Sequence, residues 1–172
     1  MAIRKALEEK YPGNDKWQFS ISFDYKKIGA VLKEQGHLDE ALASYRDSLT
    51  IMRALVQKDP GNTEWQRDLS VSYNRIGDVL RAQGNLPEAL KSYRDSLAIF
   101  DRLAKSDPSN VEWQTDFASS LYEVGRLGGG KEANFKEALA ILHRLDAAGT
   151  LPPDWKGWIG TIEEQLRKAE SP

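Results

Sequence analysis

The fold is decided by residues 61–108, GNTEWQRDLSVSYNRIGDVLRAQGNLPEALKSYRDSLAIFDRLAKSDP, which repeat the stretch before them. Laid over residues 13–60, this stretch keeps 26 of 48 positions identical. Tryptophans at positions 17, 65 and 113 mark the same 48-residue period, and a third copy begins near Asn110 and diverges after Gly125. A copied unit of this length indicates a repeat architecture, so we expect a single domain over residues 1–172.

Each copy is predicted to form two helices. The first helix carries one apolar stripe with the 3.6-residue helical period, which in the second copy consists of Trp65, Leu69, Tyr73, Ile76 and Leu80. This stripe assigns the repeated tryptophans to the core. The second helix carries two apolar faces, one with Leu90, Tyr93, Leu97, Phe100 and Ala104, and one with Leu86, Ala89, Ser96, Ile99 and Leu103. Two such faces indicate a helix that lies between two neighbours.

Glycine, proline and asparagine mark the ends of these helices. Gly36-His37 and Gly84-Asn85 are expected to end the first helices. The stretches DPGN at 59–62 and DPSN at 107–110 are expected to end the second helices, and their asparagines to cap the next ones. Glycine also recurs inside the first helices, where it costs about 1 kcal/mol relative to alanine. We expect close helix contacts to offset this cost, with Gly29, Gly77 and Gly125 facing Ala41, Ala89 and Ala138.

This pattern resembles the signature of the tetratricopeptide repeat family. The positions that carry the resemblance in the second copy are Tyr73, Ile76-Gly77, Leu80, Gly84, Ala89, Tyr93, Ser96 and Pro108. The resemblance implies an all-α fold, a right-handed α-solenoid of antiparallel helix pairs. The family unit is about 34 residues long, and we place the additional residues as about two turns in each helix, which keeps every face in phase.

Within this array the predicted segments are a partial second helix of a preceding repeat (1–12), repeat 1 (13–60), repeat 2 (61–108), an irregular repeat 3 (109–149) and a capping helix (152–170). The capping helix has a one-sided apolar stripe of Trp155, Trp158, Ile159, Ile162 and Leu166. A solenoid needs such a cap, because its last repeat otherwise exposes a core face. The partial first unit favours a segment of a longer array.

Composition argues against several classes of function. A net charge of −2 gives no global attraction to nucleic acid or to an anionic membrane. The absence of cysteine excludes disulfide scaffolds and thiolate metal sites. No apolar run reaches the ~20 residues that span a bilayer, and the charged N-terminus lacks a signal-peptide core. We therefore expect a cytoplasmic chain without nucleic-acid or membrane partners.

No catalytic, cofactor or metal site is predicted. Residues 125–132, GRLGGGKE, fit the start of a phosphate-binding loop. However, a helix rather than a strand precedes them, and Glu132 replaces the hydroxyl residue and would repel phosphate. We interpret this stretch as a loose turn that ends the preceding helix at Leu127. His37 lies in a polar turn, and His143 has no further ligand at metal-binding spacing, so we expect no enzyme activity.

The resemblance implies a partner-binding face, because tetratricopeptide repeats bind peptides or partner helices along the concave face lined by their first helices. The residues expected there are Phe19, Ser22, Lys26, Ala30 and Lys33, then Arg67, Val71, Asn74, Asp78 and Arg81, then Thr115, Ser119, Tyr122 and Arg126. Five are basic and only Asp78 is acidic, which predicts an acidic or C-terminal-carboxylate ligand held by charge-assisted hydrogen bonds. The family's carboxylate clamp is not matched, since Ala30 stands where an asparagine would follow Lys26.

The leading functional prediction is therefore an interaction scaffold that binds a protein or peptide. The alternative is a regulatory or sensor segment of a larger enzyme or signalling protein, which packs on its own catalytic domain. A third interpretation is self-association through an open N-terminal edge, where a helix over residues 2–10 leaves apolar surface exposed.

Overall fold

The computed structural model describes residues 13–170, which form seven α-helices joined by short turns. They divide into two compact units, one ending at Asn85 and one beginning at Leu86. Residues 13–170 contain no strand, so the predicted all-α fold is confirmed. The partial helix predicted over residues 1–12 lies outside the described residues, and the single domain over 1–172 stays a prediction.

The first unit contains three helices: α1 (Asp15–Glu34), α2 (Leu38–Lys58) and α3 (Thr63–Ala82). Both α1 and α3 pack against α2. Contacts between helix ends show that neighbours are antiparallel. Lys58, which ends α2, places its Nζ atom 2.7 Å from both carboxylate oxygens of Asp15, which begins α1. Gln83, which follows α3, donates to Asp39 in the first turn of α2 over 2.7 Å. The predicted antiparallel helix pair is thereby confirmed.

Repeated polar motifs set the ends of these helices. The side chains of Asn14 and Asn62 accept hydrogen bonds from the backbone nitrogens of Trp17 and Trp65, at 3.2 and 3.0 Å. This is the bond that an N-cap makes to the third helical residue. At the other end of α1, Gly36 adopts φ +81°, a left-handed conformation that suits glycine at a helix end. The predicted helix ends and the Asn62 cap are therefore confirmed.

The core of the first unit is apolar but includes small hydroxyl side chains. Its buried apolar residues are Ile21, Ala41, Leu42, Tyr45, Met52, Leu55, Leu69, Ile76, Val79 and Leu80. Ser48 on α2 and Ser72 on α3 are fully buried, and their Oγ atoms lie 3.4 Å apart. The Ser72 hydroxyl also donates to the carbonyl of Asp68 over 3.0 Å. The α2–α3 contact thus contains a satisfied polar pair, as buried hydroxyls require.

The close helix contact at Gly29 involves an aromatic ring and not the predicted alanine. A Cβ atom added at Gly29 would lie 2.8 Å from Cε1 of Tyr45, one turn beyond Ala41 on α2. The ring is 1 % exposed, and burial raises the pKa of its phenol above 10.0. The prediction that Ala41 faces Gly29 is therefore wrong, because the absence of a side chain makes room for a flat ring. Glycine is needed here for space, not for backbone freedom.

The second unit contains four helices: α4 (Leu86–Ser106), α5 (Val111–Arg126), α6 (Lys131–Ala147) and α7 (Pro153–Glu170). Each packs on the next along the chain. Gln114, in the first turn of α5, joins three of them. Its Nε2 atom donates to the carbonyl of Ala104 near the end of α4 over 2.8 Å, and its Oε1 atom accepts from Arg144 near the end of α6. Asn110 caps α5 through the backbone nitrogen of Trp113 at 3.0 Å, as predicted.

The third repeat departs from the others at its turn. Helix α5 ends at Arg126 with Leu127 as its C-cap, which agrees with the predicted end, and the glycines that follow include two with positive φ. A Cβ atom at Gly125 would lie 2.8 Å from the Phe135 ring, so Ala138 is not its facing residue either. When repeat 3 is aligned with repeat 1 so that Ala138 matches Ala41, Leu142 occupies the position of Tyr45. Phe135 precedes Leu142 by seven residues, close to two turns, so the same face of α6 supplies the ring.

Two residues assigned to the core are exposed. Trp17 is 47 % exposed, whereas Trp65 and Trp113 are half-buried. The first helices of the two repeats are similar in sequence but have different neighbours. Helix α3, which carries Trp65, lies beside α1, whereas no described helix covers the corresponding edge of α1, which carries Trp17. Leu86, the first residue of α4, is 49 % exposed.

The capping helix occurs where predicted and packs on α6. Ile162 is fully buried, while the rest of its apolar stripe is half-buried. Lys136 on α6 places its Nζ atom 3.2 Å from Oε1 of Glu170 at the end of α7, so the two helices are antiparallel.

Candidate functional site

Of the ten site residues predicted on α1 and α3, six carry a charge or an amide group, and all six are partly exposed. Lys26 and Lys33 are seven residues apart on α1, and Arg67, Asn74 and Arg81 have the same spacing on α3. Seven residues are close to two turns, so each set lies on one side of its helix. We call this set the basic face and define it by Lys26, Lys33, Arg67, Asn74, Asp78 and Arg81.

Ion pairs join the two helices across the basic face. Lys26 Nζ lies 2.5 Å from Asp68 Oδ1, and the two side chains are 11 % and 22 % exposed. Lys33 Nζ lies 3.6 Å from Asp78 Oδ2, with exposures of 34 % and 21 %. Arg75 Nη1 also approaches Asp78, at 3.7 Å. These contacts place α1 and α3 side by side.

The prediction of a groove with Asp78 as its single acid is therefore wrong. Asp68 was missed because it lies beside the stripe from which the site was predicted. Its contact with Lys26 depends on how α3 lies against α1, which the sequence does not show. Five cations of the first unit still surround this surface, Lys26, Lys33, Arg67, Arg75 and Arg81, against the two carboxylates. The basic character is reduced but not removed.

One residue predicted on α1 belongs to the core. Ser22 is fully buried, its hydroxyl donates to the carbonyl of Phe19 at 2.7 Å, and the Met52 sulfur lies 3.1 Å from its Oγ atom. The adjacent Phe23 is the exposed residue, at 48 %. The Nζ atom of Lys27 lies 4.6 Å from its ring centroid, within cation–π distance. The repeat could have corrected this error, because Phe23, and not Ser22, is the counterpart of Val71.

The second unit contributes a different surface. Thr115 is 4 % exposed and donates to the carbonyl of Glu112, so its predicted place on the partner-binding face is wrong. Tyr122 and Arg126 are partly exposed, and Arg126 is paired with Glu123, which partly neutralises it.

An aromatic cluster surrounds Tyr122. Its ring centroid lies 5.2 Å from that of Trp158 in an edge-to-face arrangement, and Trp158 lies 5.2 Å from Trp155. The guanidinium of Arg126 lies 5.8 Å from the Tyr122 ring. The sequence identified α7 as a cap, but its periodicity could not show that the aromatic side of α7 reaches Tyr122. The candidate surface of this unit is therefore aromatic with one paired cation.

The residues that suggested other chemistry are placed in structural contacts. The loop at 125–132 follows helix α5, and Glu132 pairs with Lys136 at 2.5 Å. His143 Nε2 lies 3.7 Å from Glu163 Oε1 on α7, and His37 Nδ1 lies 3.9 Å from Glu40 Oε1. Within residues 13–170 no three histidine or carboxylate side chains gather as metal ligands would.

Comparison with known proteins agrees with the repeat geometry. A sequence profile of the tetratricopeptide repeat matches residues 25–60 and 69–108. Each match begins in a first helix, α1 or α3, and ends at the proline that follows the second. The curated proteins contain no match to this chain. None of the described helices is both long and apolar enough for a transmembrane segment.

The observed helix lengths account for the unusual period. Each of the two complete repeats has a 20-residue first helix and a 21-residue second helix. Proteins of the family are generally protein-interaction modules. Together with the glycine–ring contacts, the two profile matches in register with the 48-residue period identify residues 25–60 and 69–108 as tetratricopeptide repeats.

Proposed function

We propose that this chain binds a protein partner along the basic face, and that the partner presents acidic side chains or a C-terminal carboxylate. The observation that supports this is the excess of cations around the face, where Arg75 joins four predicted basic residues against Asp68 and Asp78. The chain as a whole has net charge −2, so the excess is local. Charge-assisted hydrogen bonds to carboxylates are roughly twice as strong as neutral ones.

The cations of the basic face have different roles in this proposal. Lys26 is 11 % exposed and held by Asp68, so it fixes the spacing of α1 and α3. Lys33 is 34 % exposed, and its 3.6 Å contact with Asp78 is long for a charge-assisted bond. A partner carboxylate can therefore recruit Lys33 at small cost. Arg67 and Arg81 lie on the same side of α3, and their planar guanidinium groups suit bidentate contacts with a carboxylate.

The aromatic surface of the second unit is proposed as a separate contact for an apolar part of the partner. Tyr122, Trp158 and Arg126 are the residue types enriched in interface cores. Tyrosine and tryptophan present large rings together with a polar group. This contact would contribute affinity, while the basic face would select for acidic partners.

The test compares two double charge reversals in the intact chain. Lys33→Glu with Arg81→Glu alters the basic face. Arg46→Glu with Arg94→Glu makes the same change in net charge at exposed positions of two second helices. Binding is measured by fluorescence anisotropy with peptides of equal length that differ in their number of Asp and Glu residues.

We expect the unaltered chain to bind more tightly as acidic residues are added and less tightly as salt is raised. The basic-face variant should lose at least about tenfold in affinity, which is about 1.4 kcal/mol, and the control variant should not. An affinity that does not change with the number of acidic residues in the peptide, or an equal loss of affinity in both variants, would contradict the proposal.

The same chemistry would serve the alternative function, in which this face packs on a catalytic domain of a longer protein. In both cases we propose that the chain acts by binding rather than by catalysis. Adding the isolated catalytic domain to the anisotropy assay would separate them, because a domain that occupies the basic face displaces the acidic peptide.

A further inference from the structure

Exposed apolar side chains are concentrated on one helix. Among residues 13–170 four large apolar side chains are exposed, and three of them lie on α1: Trp17 at 47 %, Phe23 at 48 % and Val31 at 53 %. The fourth is Leu86 on α4. At 100° per residue, the three positions on α1 fall within a sector of about 120°. We call this sector the outer stripe of α1; it also carries Lys16, Ser20, Asp24, Lys27 and Glu34.

The repeat shows what normally covers such a stripe. Val79 occupies in α3 the position that Val31 has in α1, yet Val79 is fully buried while Val31 is 53 % exposed. Val79 lies three turns beyond Asp68, on the edge of α3 that meets Lys26 of α1. In this repeat, therefore, the stripe is a helix-docking edge, whereas no helix within residues 13–170 covers the same edge of α1, which we call the open edge.

The open edge differs from the covered one in charge. The acids that receive the lysines of α1, Asp68 and Asp78, are replaced one period earlier by Ser20 and Ala30. Ser20 lies on the outer stripe and Ala30 beside it, so no carboxylate stands at the two positions that would dock another lysine-bearing helix of the α1 type. Because these two residues are small and neutral, another helix can approach α1 closely at these positions.

The charges that do lie on the outer stripe complement each other when two copies run antiparallel. A two-fold axis near the middle of α1 sets Lys27 of one copy opposite Asp24 of the other, and Lys16 opposite Glu34. The two pairings need the same alignment of the helices, with a difference of one residue. The same register sets Val31 opposite Ser20, where a small side chain leaves room for it. A self-complementary patch of this kind is what a two-fold interface requires.

We propose that the outer stripe of α1 is the interface of a homodimer, with the α1 helices of two copies packed antiparallel. A helix of 20 residues is about 30 Å long. An interface built on it falls at the small end of specific interfaces, so the dimer is weak and forms reversibly with concentration.

The first experiment measures association of the intact 172-residue chain by sedimentation equilibrium over a wide concentration range. The unaltered chain should show a reversible monomer–dimer equilibrium. Val31→Glu should raise the dissociation constant at least tenfold, whereas the matched control Leu86→Glu should leave it unchanged. A chain that stays monomeric throughout, assembles beyond a dimer, or responds equally to both substitutions would overturn the proposal.

The second experiment tests the antiparallel register. Lys27→Glu and Asp24→Lys should each weaken the dimer, because each sets like charges opposite one another, and the double variant should restore it. Far-UV circular dichroism and thermal melts verify that each variant is folded. A double variant no stronger than the weaker single variant, with folding intact, would exclude this pairing.

Discussion

Replacing Gly29 by alanine should destabilise the first unit, although alanine is the better helix former. In an unobstructed helix the substitution stabilises by about 1 kcal/mol. Here the added Cβ atom would lie 2.8, 2.9 and 3.0 Å from three carbons of the Tyr45 ring, whereas carbon atoms in contact prefer about 3.5–4.0 Å. The ring is 1 % exposed, so the overlap must be relieved by moving enclosed atoms.

The magnitude follows from these two opposing effects. Overpacking a well-packed core costs about 1–3 kcal/mol, and contact with three ring atoms places this site in the upper half of that range. Subtracting the helix gain of about 1 kcal/mol leaves a net loss of about 1–2 kcal/mol. For a chain of this length the melting temperature should fall by about 2–8 °C.

Thermal and urea unfolding followed by circular dichroism measure this loss. Gly157→Ala in α7 is the matched control, since no atom lies within 4 Å of its added Cβ, and it should stabilise by roughly 0.5–1 kcal/mol. Adding Tyr45→Leu to Gly29→Ala should relieve the overlap, so the double variant should lose less than the two single variants together. A Gly29→Ala variant as stable as the unaltered chain, or strictly additive losses, would refute the steric argument.

Three further predictions concern a helix cap, two buried serines and the titration of Tyr45. Asn62→Ala should lower the stability of the chain to urea by about 1 kcal/mol, because the side chain caps α3; an unchanged urea midpoint would contradict this. Ser72→Ala should cost about 0.5–1.5 kcal/mol in urea unfolding by leaving Ser48 without its partner, whereas Ser120→Ala should be neutral or stabilising, because that buried hydroxyl has no hydrogen-bond partner; equal losses would refute the distinction. Burial raises the pKa of Tyr45 above 10.0, so its contribution to stability is present below that pH and is lost as the pH rises through the folded-state pKa. Melting temperatures above pH 10.0 should therefore fall more steeply for the unaltered chain than for Tyr45→Phe, and parallel curves would disprove this.

The sequence was sufficient for features that depend on local chemistry. Gly36 ends α1 and Asn62 caps α3 because these residues act within one turn of their own position. The fold followed from the 48-residue period, since identical stretches in one chain favour identical helices. These inferences required no knowledge of how far apart any two helices lie.

Features that depend on neighbours were not predictable in the same way. Gly29 faces Tyr45 rather than Ala41 because the crossing of α1 and α2 decides which turn meets the glycine. The charge of the basic face was overestimated because Asp68 reaches Lys26 from another helix. Trp17 is exposed although its copies are half-buried, because equal sequences at different places in an array have different surroundings.

The two ion pairs between α1 and α3 also depend on the order of the two repeats along the chain. Repeat 1 supplies the cations of both pairs, Lys26 and Lys33, and repeat 2 supplies the carboxylates, Asp68 and Asp78. Exchanging the two repeats would set Asn74 and Arg81 against Ser20 and Ala30, and neither pair could form. Copies that remain more than half identical can therefore form these two ion pairs only when repeat 1 precedes repeat 2.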